Sequence, residues 1–436
     1  MFLNFLNKQA HIFPLAMYRA AFGFLAFISI VRFMANGWVK ACYLEPEFHF
    51  KYQYFEWVKP LDNITAMYGV VLLCAISALC IGVGFFYRIA TVAFFILFTY
   101  LELLAQSWYL NHYYFVSIIA LLLCFIPAQK GYSFDALRKK KIEAPFVPYW
   151  SVFILKLQIT IVYFMAGLAK LKLDWLLEAL PLKIWLKAKV DTPLIGMFFQ
   201  YDETAYIFTY FAILYDLTIP FLLWNKKSRP YAFIAVVLFH VLTAILFNIG
   251  MFPWIMIAGS MIFISGSEWR RLFRKIPKQI LLEKKTNTAA PKRVMLVFMI
   301  GFFVFQIGLP LRYLLYQENV LWTERNFRFS WNVMLMEKSG YAVFSIADKN
   351  SEKKWIEYPK EKLTVIQEKQ MSFQPDMIWQ YAQFLKSKYD LQGYDVSIKV
   401  KNYVTLNGRP SKEFISKEID LVSIGRNDIY NYVQAE

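Results

Sequence analysis

Apolar runs of about the length of a membrane span recur along the first 316 residues. They fall at residues 13–35, 66–86, 88–106, 113–128, 149–169, 205–224, 230–249, 251–267 and 294–315. A helix needs about 20 apolar residues to cross a hydrocarbon layer of about 30 Å. The pattern therefore predicts a polytopic α-helical membrane protein of about nine transmembrane helices. The first run is too long for the apolar stretch of a signal peptide and lacks a clear cleavage site, so it reads as the first span.

After residue 316 the spacing changes. Residues 327–336 alternate large apolar residues with others, a strand signal, and 341–347 and 354–358 read as further strands. Residues 374–389 read as a helix, with Pro375 in its first turn and Ser372 near its cap. A strand at 394–406 is closed by the turn Asn407-Gly408. The expected organisation is a membrane domain over residues 1–316 and a small α+β extracytoplasmic domain over 317–436, large enough for one core. Two further segments are too long for turns. Residues 44–61 are dense in aromatics and interrupted by prolines, which predicts an interfacial segment. Residues 176–199, with Trp185, Lys183, Lys187 and Lys189, predict a re-entrant or surface helix.

Composition agrees with a membrane chain: of 436 residues, 58% are hydrophobic, which an ordinary soluble domain rarely reaches. The net charge of +17 raises the question of nucleic acid. Its distribution argues against that partner. Residues 317–436 hold 17 basic and 16 acidic side chains, so nearly all of the excess belongs to the apolar part. With the N-terminus in the cytoplasm, the inner connections carry 18 basic residues and the outer ones eight. That is the positive-inside pattern. An odd number of spans then puts the C-terminal domain outside, which in a bacterial inner membrane is the periplasm. Cys42, Cys74, Cys80 and Cys124 show neither a disulfide framework nor metal-ligand spacing, and no metal is expected.

Ionisable groups inside spans are costly, so each marks a buried partner or a cavity. Here they are Arg19, Glu102, Lys156, Asp216 and His240, with Asn111, His112 and Lys170 at span ends. Arg19 and Lys156 lie near cytoplasmic ends and read as snorkelling side chains, with Asp216 as a partner for one of them. Most of the others gather towards the outer face. The run 150–168 contains the small-residue step Ala166-Gly167 and then delivers Lys170, Lys172 and Asp174. Lys170 is either an interfacial anchor paired with Asp174 one turn on, or a reagent. His240 is either a hydrogen-bonded core histidine or part of a site, and His112 either a helix-end residue or a catalyst.

YFMAGLAKLKLDW at 163–175, Asn111-His112 and FHVLTAILFNIGMF around His240 resemble the vitamin K-dependent γ-glutamyl carboxylase family. RAAFG at 19–23 and EPEFHFKYQYFEWVKPL at 45–61 resemble the wider horizontally transferred transmembrane domain group. RFSWNVMLMEKSGY, QEKQMSFQPDMI and VTLNGRP extend the likeness into the outer domain.

The resemblance implies that a reduced vitamin K (menaquinol or phylloquinol) reacts with O2 and leaves as its 2,3-epoxide. The strong base formed on the way removes a γ-hydrogen from glutamate in a secreted polypeptide, and CO2 adds to give γ-carboxyglutamate. It implies Lys170 as the base that activates the quinol and His112 as a second catalytic group. Asn111 and His240 would contact the quinone or CO2. The segment 403–414, with Asn407 and Arg409, would contact the peptide. The partners are then the lipid bilayer, the quinol and a Glu-containing polypeptide. A lysine acting as a base must be partly uncharged, which an ion pair opposes, so Asp174 is expected to point elsewhere.

This chain departs from the animal enzymes in three places. Ala169 stands where they carry a second lysine. Their cross-link between membrane and lumenal parts has no cysteine here after Cys124. An arginine that follows the lysine stretch has no clear match, with Lys183 or Lys187 as candidates for its place, and recognition through a propeptide is not implied. Two other functions remain open from sequence: quinol oxidation or epoxidation without carboxylation, and quinone or lipid binding without catalysis.

Overall fold

The computed structural model describes residues 5–272 and 293–436. Helices occupy all nine of the expected apolar segments. They are α1 (Ile12–Ala35), α2 (Ile64–Val83), α3 (Tyr87–Leu103), α4 (Asn111–Phe125), α5 (Trp150–Ala169), α6 (Asp202–Trp224), α7 (Arg229–Leu246), α8 (Phe252–Ser260) and α9 (Arg293–Leu311). Nine spans are not confirmed: among the described residues, six helices (α1, α2, α5, α6, α7 and α9) are long and apolar enough to cross a membrane by length and composition, and α4 and α8 are shorter apolar helices. α4 stops ahead of Pro127, and α8 starts at Phe252-Pro253 and runs into a 3-10 turn at Met261–Phe263. Most of the basic connection at 270–293 lies outside the described residues.

Glycine sets two of the crossings. A Cβ on Gly23 of α1 would lie 2.2 Å from the Gly82 backbone nitrogen, so these helices touch backbone to backbone. A Cβ on Gly167 of α5 would meet Leu217 side-chain carbons at 2.8 Å and its backbone nitrogen at 3.0 Å, which brings α6 close. α5 is the most enclosed of the six, with 72% of its apolar window buried against 22–50% in the others.

Two inner basic residues correct the snorkelling expectation. Arg19 is buried and donates to the carbonyls of Ile81 (3.1 Å) and Tyr132 (2.6 Å), which closes the turn around Gly84. Lys156 is held among the rings of Tyr149, Trp224 and Phe263 at 5.4–6.0 Å. Neither pairs with Asp216.

The C-terminal domain is a four-stranded antiparallel sheet in the order β4-β3-β5-β6. The strands are β3 (Lys338–Asp348), β4 (Lys354–Glu357), β5 (Val396–Leu406) and β6 (Lys412–Glu413); a two-stranded ladder, β1 (Gln9–His11) with β2 (Phe146–Pro148), ties α1 to α5. β3 and β5 run in register from Lys338↔Leu406 to Asp348↔Val396. α10 (Val365–Met371), capped by Thr364 and Gln367, leads into α11 (Pro375–Asp390), which covers one face of the sheet with Met377, Ile378, Tyr381 and Leu385.

The strand expected at 327–336 does not form. Phe329, Trp331 and Met334 have left-handed φ of 60°, 56° and 52°, and the segment folds as successive turns. Its alternation comes from burial in two different places. Trp331 packs into the helical core against Tyr114, while Leu335 belongs to the outer core. The segment 44–61 forms no regular element in its outer part. Phe48 stacks on Phe384 (4.6 Å) and Phe50 is buried under the sheet domain, while Tyr54 and Trp57 at its tip are exposed. Residues 176–199 hold a short helix at Leu182–Lys187.

Candidate functional site

The site grows from the outer end of α5. Because Gly167 admits α6, Lys170 at the helix end reaches Asp216 across the crossing. Its Nζ donates to Asp216 Oδ2 at 2.7 Å and to the Ala166 carbonyl at 3.2 Å. Both residues are 6% exposed. Lys170 is therefore not a lone desolvated amine, as expected from sequence, but half of a buried ion pair. From sequence its counterion, Asp216, reads instead as a partner for Arg19 or Lys156. Asp174 points elsewhere, as expected, but Asp216 supplies the ion pair that this expectation set aside. It accepts from Arg409 at 2.8 and 2.9 Å and from Asn407 at 2.5 Å. Burial pushes the Asp174 carboxyl up, but these hydrogen bonds and the Arg409 charge outweigh it and hold it below the usual range.

Lys170, Asp216 and His240 line one cavity of about 210 Å³, otherwise walled by apolar and aromatic side chains such as Val162, Phe208, Phe211 and Phe239. Ile207 and Phe211 on its α6 wall are 66% and 52% exposed on the outside of the bundle. This wall of the cavity is therefore shared with the exposed apolar surface of the bundle. His240 Nε2 is 2.9 Å from the Tyr163 hydroxyl, and its Nδ1 is buried without a hydrogen-bond partner among the described residues. An unpaired ring nitrogen against this cavity is a position a polar ligand group can satisfy.

Asn111 and His112 line a second, larger cavity of about 710 Å³, with Arg32, Asn248 and Asn332 among its polar walls and Trp38, Trp108 and Trp254 among its aromatic ones. The two cavities share Phe247, Ile249, Phe252, Val333 and Met334. The Phe252 ring centroid is 5.9 Å from that of His112 and 6.0 Å from that of His240, so this ring stands between the two imidazoles. The expected residues thus gather at one place in the bundle but in two chambers: Lys170 with His240, and Asn111 with His112.

Asn111 is committed on both sides. Its Oδ1 accepts from the Tyr109 hydroxyl and its Nδ2 donates to the Asn332 carbonyl, each at 2.9 Å. It fixes the 327–336 segment, which brings Val333 and Met334 to the shared wall. Asn407 and Arg409 line neither cavity. Besides Asp174, Arg409 contacts Glu178 and Glu436, and Asn407 Oδ1 accepts from the Glu337 backbone N–H. They join the sheet domain to the end of α5. A second joint is built on Asp376, which accepts from Gln106 (2.7 Å) and Arg328 (2.9 Å), while Gln380 donates to Gln106 (3.0 Å).

Sequence reasoning missed Tyr163, Asp216, Val333 and Met334 as site residues. Tyr163 and the 333–334 pair lay inside quoted motifs, but only the fold shows which cavity they face.

The HTTM domain model matches residues 7–269, and the vitamin K-dependent gamma-carboxylase lumenal domain model matches residues 291–432. The chain belongs to the vitamin K-dependent gamma-carboxylase family. No solved structure matches it. Membership makes the sheet domain the lumenal, extracytoplasmic part of a membrane protein in this family. The lumenal match begins ahead of α9, so it takes in that helix together with the sheet domain.

Proposed function

We propose that the chain carboxylates peptide glutamate to γ-carboxyglutamate, coupled to oxidation of a reduced naphthoquinone to its 2,3-epoxide. The observation that carries the reading is the buried Lys170–Asp216 pair in the wall of an apolar cavity beside the exposed apolar surface of the bundle. A lipid-soluble quinol fits such a chamber: apolar walls suit its ring and tail, and the Lys170 amine and His240 Nδ1 offer polar contacts for its two hydroxyls. When bound, the quinol would supply, with O2, the base that removes the γ-hydrogen.

The chain's own residues divide the remaining work. Lys170 receives the quinol proton at Nζ. Asp216 aims the amine and can hold a proton, so that Nζ is free to accept one. Tyr163 fixes the His240 ring and leaves Nδ1 for ligand. His112 lines the second chamber, where its imidazole is suited to orienting the reacting glutamate or moving its proton. The apolar walls exclude water that would quench a strong base. Asn111 positions the shared wall, and Asn407 and Arg409 support the peptide side by docking the lumenal domain.

The second, polar chamber favours carboxylation over quinol epoxidation alone, which needs only the apolar one. The proposed setting is a bacterial inner membrane with the N-terminus cytoplasmic and the sheet domain periplasmic. It requires an odd number of crossings, so one or all three of the shorter helices α3, α4 and α8 would cross beside the six long ones, as the asymmetry of basic loops supports.

The test uses purified protein in lipid nanodiscs with menaquinol or phylloquinol, labelled bicarbonate and a Glu-containing peptide. Epoxide together with labelled peptide is expected. Epoxide without label would select epoxidation alone, and neither product would leave quinone binding without catalysis.

A further inference from the structure

Arg32 has no role in the account above, yet it belongs to the wall of the polar chamber. It lies in the last turn of α1, and its guanidinium is 5.3 Å from the Trp38 ring centroid. Both line the chamber that holds Asn111 and His112. Among the described residues Arg32 has neither an acidic partner nor a hydrogen-bond acceptor, whereas Arg229, Arg328, Arg409 and Arg426 each have a carboxylate, and Arg19, Arg88 and Arg312, which have none, donate to backbone carbonyls. Lys170, the cation of the neighbouring chamber, has Asp216.

A basic residue at a helix carbonyl end also complements the helix dipole, but lysine would do that equally well from any face of the turn. It does not account for a guanidinium held 5.3 Å from the centroid of an indole in a cavity wall. Arg32 is exposed, so its guanidinium is open to a ligand entering the chamber, and its paired N–H groups match two carboxylate oxygens. Asn111 keeps one amide N–H beyond its bond to Asn332, but it carries no charge to offset a carboxylate.

We infer that Arg32 binds the side-chain carboxylate of the peptide glutamate in the chamber it shares with His112, and so sets the preference for an acidic residue there. The inference rests on the carboxylase reading and deepens it. An arginine here also offsets negative charge while a carbanion forms beside a carboxylate.

The experiment measures carboxylation kinetics for wild type, Arg32→Gln and Arg32→Lys, varying a Glu peptide at saturating quinol and then the quinol at saturating peptide. It adds inhibition by the matching Gln peptide. Arg32→Gln is expected to raise the peptide KM roughly 10- to 100-fold, the range for a lost charge-assisted hydrogen bond. The quinol KM stays within about 2-fold, and discrimination against the Gln peptide disappears. Arg32→Lys keeps the charge without the fork and should recover part of the loss. An unchanged peptide KM in Arg32→Gln, or an equal rise in both KM values, overturns the assignment. A wild-type protein that makes epoxide but never labels peptide overturns the carboxylase reading, and this inference with it.

Discussion

Asp216→Asn isolates the pair on which the site is built. The substitution keeps shape and removes charge. Lys170 and Asp216 are each 6% exposed and their charged atoms are 2.7 Å apart. Removing one member of such a pair strands the other in an apolar site, at a cost of about 3–5 kcal/mol. Replacing both members with uncharged groups costs much less, because no charge is left behind. Asp216→Asn should therefore be strongly destabilised, and Lys170→Met/Asp216→Asn should regain at least about 2 kcal/mol, roughly a 30-fold change in the folding equilibrium. The assay is dodecyl sulfate titration in mixed micelles, read by tryptophan fluorescence, on the wild type, both single variants and the double variant. Epoxide formation is measured alongside. A displaced amine predicts a loss of about 100-fold in kcat for Asp216→Asn, and no recovery in the double variant although its stability returns. Strictly additive stability effects would refute the pair.

Gly167→Val places carbon where Leu217 already lies, so it should push α6 from α5, separate Lys170 from Asp216 and cut epoxide formation at least about 10-fold; kinetics in nanodiscs checks this. Phe252→Ala opens the wall between the chambers, so epoxide formation should persist while labelled peptide per epoxide falls, read as the product ratio. Arg409→Gln breaks the half-exposed joint to Asp174 and should loosen the lumenal domain by about 1 kcal/mol, seen as faster proteolysis between the two parts. The Asp174 carboxyl is held below its ordinary 3.8, so its contribution is present above that value and lost only as pH falls through the lower folded value; proteolysis should stay slow at pH 4 and accelerate below it.

Much of the helical part was legible because a span is long, apolar and repeated, and each expected segment is a helix. Span number was not: α3 is 17 residues long, α4 ends ahead of Pro127 and α8 starts at Phe252-Pro253, while the flanks of all three remain apolar. The outer strands 341–347, 354–358 and 394–406 followed from alternation and turn chemistry, but 327–336 did not. There the alternation arises from Trp331 entering one core and Leu335 the other, with left-handed residues between, and no local rule separates that from a strand. Lys170 stood out by its place at a span end. Its partner Asp216 lies 46 residues away, and only the crossing at Gly167 brings them together. The division of the histidines between two chambers was likewise invisible, because it depends on the ring of Phe252.

The central claim is that the Lys170 amine takes the proton that starts quinol oxidation. The most direct measurement is epoxide formation by Lys170→Ala in nanodiscs, with and without a small primary amine added to the assay. The account predicts loss of at least about 1,000-fold, within the range for a removed general base, and partial return as amine is added, rising with the fraction of amine that is unprotonated. Undiminished epoxide formation by Lys170→Ala would contradict it.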